Sequence, residues 1–262
     1  MSCSVTAGDP AKVSRERIAK QIGWRHRLQR MLARAAAPLW VPLVVCWLRF
    51  GLGYRIEGLA EVRQQYRRIR SGSSEPLLIC ANHLTMIDSF LIGWALAPPW
   101  RYLLDFDELP WNVPEAENFA ATPWGRALAY FAKCIPIRRG GDRQEVALVL
   151  ERVVHLLARG EVALLFPEGG RSRSGQVEMD SAAWGVGRVV ASHSNCRVLC
   201  VYLRGRRQLS WGRFPQRGDR FSVSLRCIEP KSDERGPRRS LELSRQVVAQ
   251  LVQMERSHFD AR

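Results

Sequence analysis

The segment Pro76-Leu77-Leu78-Ile79-Cys80-Ala81-Asn82-His83-Leu84-Thr85-Met86-Ile87-Asp88 decides the fold. Its first six residues are apolar without a polar alternation, which is the pattern of a short strand buried on both faces. A polar loop follows, and Met86 to Ala97 then reads as a helix. Strand, loop and helix in that order open an α/β unit. The same grammar recurs downstream. Val146, Val149, Leu150, Val153, Val154 and Leu157 recur at helical spacing, Gly160 supplies the stop, and Val162 to Phe166 is a second buried strand. Val198 to Leu203 and Phe221 to Ile228 add two strands, and Leu241 to Met254 reads as a closing amphipathic helix. Residues 54–262 are therefore expected to form one α/β domain, of a size that a single core can serve.

Residues 1–53 follow a different pattern. Lys12, Arg15, Arg17, Lys20, Arg25, Arg27, Arg30 and Arg34 are interleaved with apolar residues. Ile18, Ile22 and Met31 with Leu32 fall near one helical face, the signature of a basic amphipathic helix. Ala35 to Leu48 is apolar, carries Pro38, Trp40, Pro42 and Trp47, and ends at Arg49. A spanning helix needs about 20 mainly apolar residues, so this shorter, proline-broken run suits an anchor lying in one leaflet. The alternative arrangements are a helical hairpin packed on its own domain and a signal peptide. The late start of the apolar run and the lack of a small-residue cleavage site argue against the signal peptide.

Lys and Arg number 40 against 25 Asp and Glu, a net charge of +15, so the partners should be acidic. Nucleic acid, an anionic lipid surface, and acidic substrates or carrier proteins all fit that charge. Seven cysteines without a Cys-x-x-Cys pair suggest a reducing compartment. His193, Cys196 and Cys200 come closest to metal-ligand spacing. Cys200 lies inside an apolar strand and no fourth ligand is evident, so no metal is expected. The chain lacks Gly-x-Gly-x-x-Gly, Gly-x-x-x-x-Gly-Lys and Gly-x-Ser-x-Gly, which argues against dinucleotide, P-loop and serine-esterase chemistry.

Two loops that follow strands carry reactive side chains, at the strand ends where open α/β sheets bind ligands. In the first, His83 and Asp88 are five residues apart and could not face each other within one regular helix. With His83 in the loop and Asp88 in the first helical turns, the carboxylate can fold back to accept from Nδ1–H. That fixes the tautomer and leaves Nε2 to take a proton from a substrate hydroxyl. The bland alternatives are a turn-capping histidine and an aspartate that answers the helix dipole. In the second loop, Phe166-Pro167-Glu168-Gly169-Gly170-Arg171-Ser172, Pro167 ends the strand and two glycines let backbone N–H groups approach a ligand. Arg171 and Arg173 complete a cradle suited to phosphate. Arg138, Arg139 and Gly140 form a further cluster of donors.

At these residues the chain resembles the glycerolipid acyltransferases, which include glycerol-3-phosphate and 1-acylglycerol-3-phosphate acyltransferases. Asn82-His83 through Asp88 is similar to the family's catalytic His-x-x-x-x-Asp block. Cys134 to Gly140 resembles the second block, with its arginine at Arg139 or, one position earlier, Arg138. Phe166 to Ser172 resembles the third and Val198 to Gly205 the fourth. The resemblance implies His83 and Asp88 as catalytic residues, and Arg139, Glu168, Gly169, Gly170, Arg171 and Ser172 around the acceptor. It implies a mixed sheet flanked by helices, an acyl-CoA or acyl-carrier-protein donor, a lysophosphatidate-like acceptor, no cofactor and no metal. An enzyme of this kind belongs on the cytoplasmic face of a membrane, expected to be a bacterial inner membrane, with no nucleic-acid partner. The chain departs from the family in the acidic segment Asp105-Phe106-Asp107-Glu108 and the longer stretch after it, where a short basic run is usual. That segment raises the alternative of another lyso-lipid or glycolipid acceptor, such as a lyso-ornithine lipid. A non-catalytic, basic membrane-binding protein is the remaining alternative.

Overall fold

The structure is a computed structural model and describes residues 10–119, 122–138 and 140–260, with side chains from residue 21 onward except at 118 and 119. It begins with helix α1 (Pro10–Cys46), which runs on through a π-helical turn at Trp47–Gly51. Strand β1 (Arg55–Ile56) and helix α2 (Leu59–Ser71) lead to β2 (Leu77–Ala81), followed by α3 (Asp88–Leu96) and α4 (Pro99–Leu104). Next come β3 (Trp111–Asn112), α5 (Ala116–Phe119), α6 (Pro123–Phe131) and α7 (Arg143–Leu157). The remaining elements are β4 (Ala163–Leu165), α8 (Trp184–Ala191), β5 (Arg197–Gly205), β6 (Arg220–Ile228) and α9 (Gly236–Asp260).

Among the described residues the strands form one mixed sheet in the order β1-β6-β5-β2-β4-β3, in which only β5 and β6 pair antiparallel. Apolar runs without alternation correspond to strands covered on both sides. Leu78 and Cys80, Ala163 and Leu165, and Val198, Cys200 and Tyr202 face a layer built by α7, α8 and α9. Leu77, Ile79 and Ala81, Leu164, and Leu199, Val201 and Leu203 face α2, α3 and the end of α1. Helices α8 and α9 approach so closely that a Cβ at Gly187 would lie 1.6 Å from the Ser240 carbonyl oxygen. Glycine is required there, and Ser244 exploits the contact by bonding both the Gly187 N–H and the Ala183 carbonyl at 2.8 Å.

The N-terminal segment departs from the expected pair of helices. Pro38 and Pro42 lie inside α1 and do not break it. Each proline removes one helical donor, while packing of Ala33, Ala37 and Val41 on Tyr102, Phe106 and Leu109 holds the backbone in place. The span Gln21–Gly51, 31 residues, is long and apolar enough to cross a membrane by length and composition.

The stripe of α1 that packs on the domain consists of His26, Gln29, Ala33, Ala37 and Val41, while Met31, on the expected amphipathic face, is 62% exposed. The polar members are satisfied by the domain. His26 Nε2 lies 2.5 Å from Glu161 Oε1, and Gln29 Nε2 donates to the carbonyls of Tyr130 and Cys134 at 2.9 and 2.8 Å. Glu161 also accepts from Trp111 Nε1 at 2.6 Å and lies 3.8 Å from Lys133 Nζ. Lys133 is fully buried and donates to the carbonyls of Phe106 and Leu109, and burial pushes its ammonium down to about 7.

Candidate active site

Strand β2 ends at Ala81, and the chain turns through Asn82 to Ile87 before α3 begins at Asp88. Asn82 fastens the turn to the neighbouring strand, donating to the Leu203 carbonyl at 3.0 Å and accepting the Leu203 N–H at 2.8 Å. The Asp88 carboxylate folds back over the turn. Its Oδ2 accepts the N–H groups of Leu84 and Thr85 at 2.7 Å each and lies 3.1 Å from His83 Nδ1, while Oδ1 accepts the Thr85 hydroxyl. The imidazole stacks on Phe166, with 3.9 Å between ring centroids and 15° between planes. The ring is thus fixed both by its Nδ1 contact and by a flat neighbour from the end of β4, and Nε2 is the nitrogen left for a ligand.

The second loop grips the first through the backbone. Ser172 N–H donates to the His83 carbonyl at 2.9 Å, and His83 N–H donates to Glu168 Oε1 at 3.4 Å. Gly169 sits at φ +64°, a conformation that favours glycine, and its N–H closes a turn onto the Phe166 carbonyl at 3.0 Å.

His83, Gly170, Arg171 and Arg173 line one cavity of about 280 Å³, together with Ser89, Asn112, Glu115 and Trp211. Arg171 Nη1 donates to the Gly212 carbonyl at 3.2 Å, and its guanidinium lies 5.1 Å from the Trp211 ring centroid, inside cation–π range. Two members of the second loop take other positions. Glu168 turns to the backbone of His83 and lies outside the cavity lining, and burial pushes its carboxyl up to about 8. The Ser172 hydroxyl bonds the Gln176 carbonyl at 2.5 Å and braces the loop from within.

Arg139 lies outside the described residues. Arg138, the alternative one position earlier, lines a separate recess with Trp24 and Arg152. The acidic segment is consumed elsewhere. Asp107 takes a charged hydrogen bond from Arg30 at 2.6 Å, and Glu108 is buried and held by Arg101 at 2.5 and 2.6 Å. Neither carboxylate lines the cavity beside His83.

Asn112 and Trp211 escape a reading of the sequence. Asn112 belongs to a two-residue strand that no periodicity could reveal, and Trp211 arrives from a loop between β5 and β6. The Asn112 amide donates to Ser89 Oγ at 3.0 Å, and its Oδ1 is buried without a protein partner. Ser89, Asn112 and Pro114 are also walls of a second, apolar groove of about 630 Å³. Leu39, Trp40 and Val44 of α1, Phe90 of α3, and Leu128 and Phe131 of α6 form its sides. A polar cavity that holds His83 thus adjoins a greasy groove, with Asn112 at the junction.

No curated protein matches the chain. The family model described as Acyltransferase matches residues 55–204, from β1 to the penultimate residue of β5, and so spans every element that carries the cavity's histidine and arginines. Covering more than half of the 262 residues, that match shows that the chain belongs to the Acyltransferase family, the glycerolipid acyltransferases, whose members transfer an acyl group onto a lipid acceptor.

Proposed function

We propose that the protein is a 1-acylglycerol-3-phosphate O-acyltransferase of phospholipid biosynthesis, drawing its acyl group from acyl-CoA or acyl-carrier protein. The observation that carries this reading is the meeting of three things at one place. The His83–Asp88 pair and two arginines share a polar cavity, and that cavity shares its wall with an apolar groove.

His83 Nε2 takes the proton of the acceptor hydroxyl as its oxygen attacks the thioester carbonyl, while Asp88 holds Nδ1–H and supports the imidazolium that forms. Backbone donors of the two loops stabilise the tetrahedral oxyanion. Its collapse forms the ester and expels the thiolate, which recovers the proton from His83. Arg171 and Arg173 bind the acceptor phosphate, Arg171 pre-oriented by its bond to Gly212 and its stacking on Trp211. A hydrocarbon chain lies along the groove between α1, α3 and α6. Arg139, reached through the second family block, adds to the acceptor's phosphate contacts. Asp107 and Glu108 are paired to Arg30 and Arg101 and lie outside the cavity lining, where Arg171 and Arg173 outweigh the carboxylate of Glu115, a balance that favours an anionic acceptor. The protein works as a peripheral or monotopic enzyme on the cytoplasmic face of a membrane.

The experiment is an acceptor panel. Purified protein is incubated with acyl-CoA or acyl-carrier protein and with lysophosphatidate, glycerol-3-phosphate, a lyso-ornithine lipid and monoacylglycerol, and products are identified by mass spectrometry. Phosphatidate as the dominant product is expected. A dominant neutral or zwitterionic product overturns the assignment.

A further inference from the structure

The loop between β5 and β6 exposes apolar side chains that its own backbone prevents from collapsing. Leu209 is 86% exposed, Phe214 50% and Trp211 45%. Yet the main chain beneath them is firmly tied. The buried Arg204 donates through Nε to the Gln208 carbonyl at 2.9 Å and through Nη2 to the Leu209 carbonyl at 3.3 Å. Gly212 N–H bonds the Leu84 carbonyl at 3.0 Å, and Met86 N–H bonds the Arg213 carbonyl at 3.3 Å. A rigid loop that holds three large apolar groups in water loses the hydrophobic free energy that a covering partner would return.

The surroundings state what that partner is. The Phe214 ring packs edge-on against Trp47, 6.3 Å between centroids, at the end of the α1 helix. Trp47 closes an exposed stripe of Leu39 and Leu43, spaced four apart, and Phe50 extends it by three. The loop thereby continues the apolar face of the N-terminal helix. Its charge is one-sided as well. Residues 206–218 contain four arginines and no carboxylate. Arg206 and Arg207 are answered by Glu57 and Asp219, while Arg213 and Arg217, with Arg49 on the helix end, present positive charge around the aromatics. Apolar and aromatic groups ringed by arginine match the interface of an anionic bilayer.

From this we infer that residues 206–218 form a second membrane-contact element, seated in an anionic lipid surface beside the N-terminal helix. Through Trp211 in the cavity wall and the bonds to Leu84 and Met86, it brings the mouth of the His83 cavity to the bilayer. The inference draws on the lipid acceptor common to the family and is independent of which lipid that is.

The test places an environment-sensitive nitrobenzoxadiazole probe at Leu209→Cys, in the full chain carrying C3S, C46S and C227S, with a control probe at the exposed Asp233→Cys. On vesicles of mixed phosphatidylglycerol and phosphatidylcholine, the probe at 209 should brighten by at least about threefold and shift to the blue, and the probe at 233 should not. Phosphatidylcholine vesicles alone should give a much smaller change. A probe at 209 that stays in water while the protein floats with the vesicles overturns the inference. So does a shift given by soluble acyl-carrier protein and not by vesicles, because the loop then serves a protein partner. As a second measurement, Arg213→Glu with Phe214→Glu should weaken vesicle binding at least about fivefold with the melting temperature unchanged, and unaltered binding also refutes it. Neither assay measures acyl transfer, so the outcome is separate from that of the acceptor panel.

Discussion

Asp88 Oδ2 holds His83 Nδ1 at 3.1 Å while accepting two backbone N–H groups of the same turn at 2.7 Å. One carboxylate therefore shapes the loop and orients the imidazole, and the two functions cannot be removed separately. Asp88→Asn should lower kcat at least about tenfold and should also lower the melting temperature, because an amide is a poorer acceptor for those buried donors. Kinetics and thermal unfolding of the same preparation check this. Lost turnover with unchanged stability would mean that the turn does not depend on the carboxylate.

Arg171 lies in the cavity with its guanidinium over Trp211. Arg171→Ala should raise the acceptor KM and move the donor KM little, and Arg171→Lys should restore only part of the loss, since an ammonium reproduces neither the fork nor the stacking. Steady-state kinetics with each substrate varied in turn decide the matter. A rise confined to the donor KM would assign Arg171 to the thioester's carrier.

Glu168 sets a pH dependence of stability. Burial lifts its folded-state carboxyl from the ordinary 4.5 to about 8, so between those values the folded protein holds a proton that the unfolded chain has released. The folded state consequently loses stability as pH rises from about 4.5 through about 8. Glu168→Gln, neutral throughout, should flatten the profile and be the more stable form at pH 8 relative to wild type. Urea midpoints at pH 5 and pH 8 test it, and parallel profiles for the two proteins would show that Glu168 ionises normally.

The N-terminal helix is fastened by a buried polar cluster at His26 and Gln29 as well as by the apolar contacts of Ala33, Ala37 and Val41. Removing the His26 imidazole leaves Glu161 one partner short in a dry site, so His26→Ala should cost about 3 kcal/mol in urea unfolding. Deletion through Gly53 strips His26 from Glu161, and the truncated protein should therefore be destabilised as well as bind vesicles more weakly.

What the sequence discloses is what short-range pattern encodes. Leu77 to Ala81 and Arg143 to Leu157 are legible because a strand buried on both faces and an amphipathic helix each leave a period in the chain. The approach of His83 to Asp88 is legible too, because five residues at a strand-to-helix turn leave few ways to meet. Trp111–Asn112 is too short to leave any period, and its place in the sheet depends on pairing with β4. The continuity of α1 through Pro38 and Pro42 depends on what the helix packs against, which lies some 60 or more residues away in Tyr102, Phe106 and Leu109. The pairing of the acidic segment is hidden for the same reason. Asp107 and Glu108 look free in sequence, and their partners Arg30 and Arg101 are identified only by folding. Trp211 and the orphaned Asn112 oxygen reach the cavity from elements that carry no motif.

The apolar groove makes a prediction about chain length. Ala132 lines it near the end of α6, and Ala132→Trp should fill part of the space and shift products toward shorter acyl chains. Competition between donors of different length, read by mass spectrometry, tests this, and an unchanged product distribution would place the hydrocarbon elsewhere.

Whether His83 is the base that activates the acceptor is decided most directly by single-turnover acyl transfer by His83→Ala with its melting temperature recorded alongside. The rate should fall at least about a hundredfold below wild type with the fold retained, because the imidazole contributes proton transfer while the Asp88 carboxylate keeps its bonds to Leu84 and Thr85. Transfer within a few-fold of wild type in a folded His83→Ala protein would contradict it.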